Sequence, residues 1–129
     1  MSKSVWIIDD DEIYQMIIKK IITQSEIFNE FEYFLSAKAA IERLKKRAFP
    51  DVILVDINMP IMDGWQFLDY LRKEFRDELK NSLIFIVSSS IAYSDIEKAE
   101  NYKEISGFIT KPVNWSNLKM IENMIKRSI

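Results

Sequence analysis

Short apolar runs alternate along this chain with longer stretches of helical periodicity. Val5 to Ile8, Glu32 to Leu35, Val52 to Asp56, Leu83 to Ser88 and Gly107 to Thr110 read as strands. Between them, Ile13, Ile17 and Ile21 repeat every four residues, Leu68, Leu71 and Phe75 mark the face of a third helix, and Leu118, Ile121 and Ile125 mark the last. Each set is read as a core stripe. Ser36 is placed as the N-cap of a helix over Ala37 to Leu44, and Ser94 with Glu97 has capping-box spacing for a fourth helix. That helix, over Asp95 to Tyr102, has only Ile96 and Ala99 at helical spacing, so it is expected to be short or mobile. There is no internal repeat, low-complexity segment or interdomain linker.

Strand and helix in alternation argue for a parallel sheet covered on both faces. Five β/α units suggest a doubly wound, flavodoxin-like five-stranded sheet of order 2-1-3-4-5, with five helices on both faces. In such a sheet, ligands bind outside the carboxyl ends of the strands, at the switch between the first and third. Those two strands end in acid. Val5-Trp6-Ile7-Ile8 leads into Asp9-Asp10-Asp11-Glu12, and Val52-Ile53-Leu54-Val55 delivers Asp56 into the turn Ile57-Asn58-Met59-Pro60-Ile61-Met62-Asp63-Gly64. The fourth strand ends at Ser88-Ser89-Ser90, and Lys111-Pro112 follows the fifth. One pocket then holds carboxylates, a hydroxyl and an ammonium.

Gathering carboxylates is costly, because two like charges about 4 Å apart repel by about 4 kcal/mol at an effective dielectric near 20. A cation should therefore share the site. With no His and no Cys in the chain, metal sites built on imidazole or thiolate are excluded. The remaining hard oxygen donors suit Mg²⁺, Mn²⁺ or Ca²⁺. Mg²⁺ is the favoured ion, with Mn²⁺ as an alternative, and Lys111 can serve beside it.

At 129 residues the chain fits one domain with a full core, read as a single unit over 1–129. A formal charge of -2 gives no general attraction to nucleic acid, so Lys19-Lys20 and Lys45-Lys46-Arg47 are read as solvated helix faces. No signal peptide is expected, no run nears the about 20 apolar residues of a membrane helix, and a cytoplasmic location follows as the default. Trp6 reads as strand core. Trp65 and Trp115 open helices and are read as packing anchors in preference to partner contacts.

Taken together, in order and at strand ends, these residues resemble the receiver domain of two-component response regulators, including the stand-alone chemotaxis type. The resemblance covers essentially the whole chain. It matches Asp9 and Asp10 to the family's acidic pair, Asp56 to the phosphorylated aspartate, Ser88 to the Ser or Thr ending the fourth strand, and Lys111-Pro112 to the Lys-Pro pair. The turn Met59-Pro60-Ile61-Met62-Asp63-Gly64 is also matched.

The resemblance implies that Asp56 accepts a phosphoryl group from a phosphohistidine of a sensor histidine kinase or histidine phosphotransfer protein, the chain having no His of its own. Mg²⁺ would be held by Asp10 and Asp56 with the backbone carbonyl of Asn58, supported by Asp9, while Lys111 and the Ser88 hydroxyl contact phosphoryl oxygens. An aromatic two before the Lys, or nearby in the fifth strand, is implied to swing inward. The position here is Phe108, three before Lys111. Output would pass through the surface of helix 4, strand 5 and helix 5 to a separate protein, no output domain being expected. Asn58 and Ser90 stand where the family tunes acyl-phosphate lifetime. The family's phosphoacceptor is no enzyme toward other substrates; neither nucleic acid nor membrane is an expected partner, and a homodimer through the last two β/α units is left open.

Some positions depart from the family pattern. The stretch Glu74 to Ser82 makes a long third helix and loop, and no small Ala-Gly pair precedes Gly107. Two rival readings stand beside the receiver. A metal-dependent phosphatase of the haloacid-dehalogenase type also uses a strand-end aspartate, but needs an acid two residues later, where this chain has Asn58. A receiver-like interaction module that never cycles phosphate needs none of the site residues, and all are present. A Gly-rich phosphate loop is excluded, because Gly64 and Gly107 are the only glycines.

Overall fold

In a computed structural model, which describes residues 3–46 and 49–127, the strands are β1 (Ser4–Ile8), β2 (Glu30–Phe34), β3 (Val52–Asp56), β4 (Leu83–Ser88) and β5 (Ile105–Thr110). The helices are α1 (Glu12–Ser25), α2 (Ala37–Leu44), α3 (Gly64–Glu74), α4 (Arg76–Leu79), α5 (Tyr93–Ala99) and α6 (Trp115–Arg127). All strand pairs are parallel, in the order β2-β1-β3-β4-β5. The expected sheet is thus present, with six described helices in place of five. The additional one, α4, lies in the stretch Glu74 to Ser82 read as a long third helix and loop, and is anchored by buried Leu79.

Side chains of the central strands alternate between two cores, as the two-residue period of a strand requires. Trp6, Ile8, Ile53, Val55, Ile84 and Ile86 pack on one face with α2, α3, Leu79 and Tyr102. Val5, Ile7, Val52, Leu54, Phe85 and Val87 pack on the other with Ile18 and Ile22 of α1 and Leu118 and Ile121 of α6. Leu68 and Leu71 are buried as expected, whereas Phe75 and Ile125 are only partly covered.

Several expectations are corrected. Ile13 and Ile17 are not core: they are 72% and 50% exposed, and α1 turns Gln15, Ile18 and Ile22 inward instead. Ser36 does cap α2, accepting from the Ala39 N–H at 3.1 Å. The start of α5 is different, because the Asp95 carboxylate accepts from the Ala92 N–H at 2.9 Å and Ser94 lies inside the first turn. Helix α5 is short, as expected, and buries none of its residues. Trp6 and Trp65 are core, but Trp115 is 56% exposed at the start of α6. Lys19, Lys20, Lys45 and Lys46 are solvated, and Arg47 lies outside the described residues. Among the described residues no helix is long and apolar enough to cross a membrane.

Candidate functional site

The pocket sits where β1 and β3, adjacent in the sheet, release their chains in the same direction. Asp9 follows β1 directly, with its N–H donating to the Phe34 carbonyl at 3.0 Å, and is 2% exposed. Asp56 is the last residue of β3 and is 7% exposed, while Asp10 beside them is solvated. One carboxylate oxygen from each of Asp9, Asp10 and Asp56 lies within 4.8 Å of the others. That is a cluster of hard donors of the kind that suits Mg²⁺.

Lys111 supplies the counter-charge. Its ammonium lies 2.5 Å from Asp9 Oδ2 and 3.5 Å from Asp56 Oδ2, and the Tyr14 ring centroid is 4.5 Å away. The Lys111-Pro112 peptide bond is cis, and the Lys111 N–H donates to the Ser88 carbonyl at 2.9 Å. Burial first, and the nearby Asp9 charge second, raise the Asp56 pKa above the ordinary carboxylate value, against the opposing pull of Lys111 and of the Asn58 N–H, 3.3 Å from Oδ1. Burial pulls the Lys111 pKa down, but its hydrogen bond and charge contacts with Asp9 and Asp56 outweigh this and leave it raised. The pocket therefore has two buried carboxylates competing for one lysine, an arrangement that favours a further cation.

The other expected residues are placed differently. Ser88 is buried, but its hydroxyl is engaged with its own turn: it donates to the Ser90 carbonyl at 3.0 Å and accepts from the Ser90 N–H at 3.3 Å. Asn58 and Ser90 present exposed side chains at the rim. Phe108 is half-buried against the core on the α3 side of the sheet.

Two residues of α1 were missed by sequence reasoning. Gln15 is 4% exposed, and its amide nitrogen reaches the carbonyls of Ile7 at 3.2 Å, Asp9 at 3.1 Å and Phe34 at 3.1 Å. It ties the exit of β1 to that of β2. A glutamine among the isoleucines of an otherwise apolar inward face is the signal that could have found it. Gln15→Leu should leave the Asp9 carbonyl unpartnered in the interior and lower stability by about 1–2 kcal/mol, read from urea denaturation. The second is Tyr14, whose phenol pKa is raised by burial and then by the charges of Asp9 and Asp56.

The fold and this pocket define the chain's class, and comparison with known proteins names it. Residues 5–122 match the family model described as the response regulator receiver domain, and the chain belongs to that family. A two-component response regulator from Cytophaga hutchinsonii, seen in a crystal structure, is 30% identical, with a TM-score of 0.91 over 98% of both chains. The chemotaxis protein CheY of Halobacterium salinarum is 28% identical over 114 residues, 87% of each chain. A protein-glutamate methylesterase/protein-glutamine glutaminase of Treponema pallidum is 33% identical over 111 residues, 84% of this chain. The chain spans about a quarter of that relative's length, 26%. The chain is thus a CheY-like receiver of two-component signalling.

Proposed function

We propose that the whole chain, 1–129, works as a phosphoacceptor domain that takes a phosphoryl group onto Asp56 and signals by changing a protein-binding surface. The observation that carries this reading is the convergence of Asp9, Asp10 and Asp56 within 4.8 Å with Lys111 against two of them. A carboxylate oxygen of Asp56 attacks the phosphorus of a phosphohistidine supplied by a sensor histidine kinase or histidine phosphotransfer protein. The phosphorus–nitrogen bond breaks, the imidazole leaves, and an acyl phosphate remains on Asp56. Lys111 moves its charge toward the incoming oxygens as a point donor. Asp10 and Asp56, the Asn58 carbonyl and, in support, Asp9 would hold Mg²⁺. When bound, this ion neutralises charge on the transferring group.

The new phosphate draws the Ser88 hydroxyl away from Ser90, and Phe108 follows inward from its half-buried position. The surface altered is that of α5, β5 and α6, the fourth-helix to fifth-helix face of the sequence reading. An α5 with no buried residue can be displaced at little cost in packing. The exposed apolar face Ile13, Met16 and Ile17 lies one turn from the acidic pair and suits a protein donor. We place this cycle in the cytoplasm, with turnover confined to the chain's own phosphoryl group.

The test is intact-mass analysis after incubation with acetyl phosphate. A gain of one phosphoryl group with Mg²⁺, lost when the metal is chelated, is the expected result. No gain in the folded protein with acetyl phosphate or with a kinase would transfer the reading to an interaction module independent of phosphate. Asn58 and Ser90 at the rim are proposed to set the acyl-phosphate lifetime. Exchanging both for other polar residues should change the dephosphorylation rate by about tenfold, the equivalent of one hydrogen bond of about 1.4 kcal/mol. An unchanged decay of the phosphorylated mass would remove that role.

A further inference from the structure

We infer that Tyr14 is a positioning residue that holds the Lys111 ammonium in the acidic pocket through the face of its ring. This rests on the reading of Asp56 as phosphoacceptor and of Lys111 as its cation.

A lysine head on a four-carbon stem has little orientation of its own. Here three groups confine it: Asp9 at 2.5 Å, Asp56 at 3.5 Å, and the Tyr14 ring at 4.5 Å to the centroid, within the range of a cation–π contact. The ring is itself well fixed. Asp11 caps α1 by accepting from the Ile13 N–H at 3.0 Å and the Tyr14 N–H at 3.1 Å, and the Tyr14 side chain packs against the core on the α1 side of the sheet. The turn that presents the acidic pair therefore also aims the ring.

The three partners have different fates in a phosphoryl cycle. Asp9 and Asp56 are the carboxylates offered to a cation, and Asp56 is the group modified, so both contacts of Lys111 with oxygen change as the site is used. The aromatic face binds neither phosphate nor a hard divalent ion. Of these three described partners of the ammonium it is the one that stays constant, and it limits how far the ammonium strays when Asp9 is drawn to another charge. The role belongs to the ring and not to the phenol oxygen, for which no hydrogen bond is required.

A double-mutant cycle on the full chain tests this. The rate of phosphorylation by acetyl phosphate with Mg²⁺ is followed by intact mass for the natural chain, Tyr14→Leu, Lys111→Met and the double variant, with Tyr14→Phe as the ring-preserving control. Tyr14→Leu should slow the reaction by about tenfold and Tyr14→Phe by less than about twofold, while Tyr14→Leu should add nothing once Lys111 is Met. Equal slowing by Tyr14→Leu in both backgrounds would mean that the ring merely packs, and would overturn the inference. A second reading needs no phosphate: the Lys111 Cε protons should show an upfield ring-current shift in the natural chain and in Tyr14→Phe, and its absence in the natural chain also overturns the inference. A natural chain that shows the shift but takes up no phosphoryl group would defeat the functional reading alone, leaving the ring contact standing.

Discussion

Asp56→Asn should take up no phosphoryl group, and at pH 7 it should withstand more urea than the natural chain. The first effect follows from removing the only oxygen anion at the end of β3: a carboxamide cannot attack phosphorus, and uptake should fall to background, at least about 10³-fold, as for removal of a covalent nucleophile. The second follows from electrostatics. Asp56 ionises against burial and against Asp9, and Lys111 compensates only in part. A carboxyl group with a raised native pKa favours the folded state most when protonated. That stability is present below the unfolded carboxylate pKa of about 4 and is lost as pH rises through the native value. Asparagine removes the loss, so a gain on the order of 1 kcal/mol is expected at pH 7, shrinking toward zero near pH 4. Denaturation midpoints at the two pH values measure it. A variant less stable than the natural chain at pH 7 would show that the Lys111 contact outweighs the repulsion.

Gly64→Ala should cost about 3 kcal/mol or more and disturb the site as well. A Cβ at Gly64 would sit 2.6 Å from the Asp56 carbonyl oxygen and 2.9 Å from the Ile57 Cα. Both are backbone atoms of the strand end and the turn after it, so no rotamer change relieves the clash. The Gly64 N–H also donates to the Ile57 carbonyl at 2.9 Å, which holds the first turn of α3 against that segment. Pushing α3 away would strain this bond and displace Asp56 and Asn58 together. The expected outcome is a lower urea midpoint and slower phosphoryl uptake in the same variant. A normal midpoint would mean that α3 shifts freely.

The pocket at the carboxyl ends of the strands was legible because chemistry and strand ends coincide. An apolar strand covered on both faces tolerates a carboxylate only where the chain leaves the sheet, so Asp9, Asp10, Asp56, Ser88 and Lys111 could be placed by where the apolar runs stop. The order β2-β1-β3-β4-β5 is that of the doubly wound sheet suggested by the five β/α units in a row. The helices were less legible. In α1 the apolar residues occupy more than one face, and a four-residue repeat selected Ile13 and Ile17, which are solvated. In the fold the buried face of α1 is Gln15, Ile18 and Ile22, with the Gln15 amide nitrogen reaching three carbonyls at the ends of β1 and β2. Helix α4, at four residues, is too short for any periodicity to register.

Sequence alone determined the alternation of strand and helix, the absence of imidazole and thiolate ligands, and the acids and lysine that make up the pocket. These are properties of local pattern and of side-chain chemistry. Only the tertiary structure decided how the groups share the space: Lys111 bound more closely to Asp9 than to Asp56, Ser88 turned toward Ser90, Tyr14 beneath the ammonium and Gln15 behind Asp9. Each depends on which of several available partners comes within hydrogen-bonding or van der Waals range once the strands are in register, and a distance between residues far apart in the chain exists only after the chain has folded.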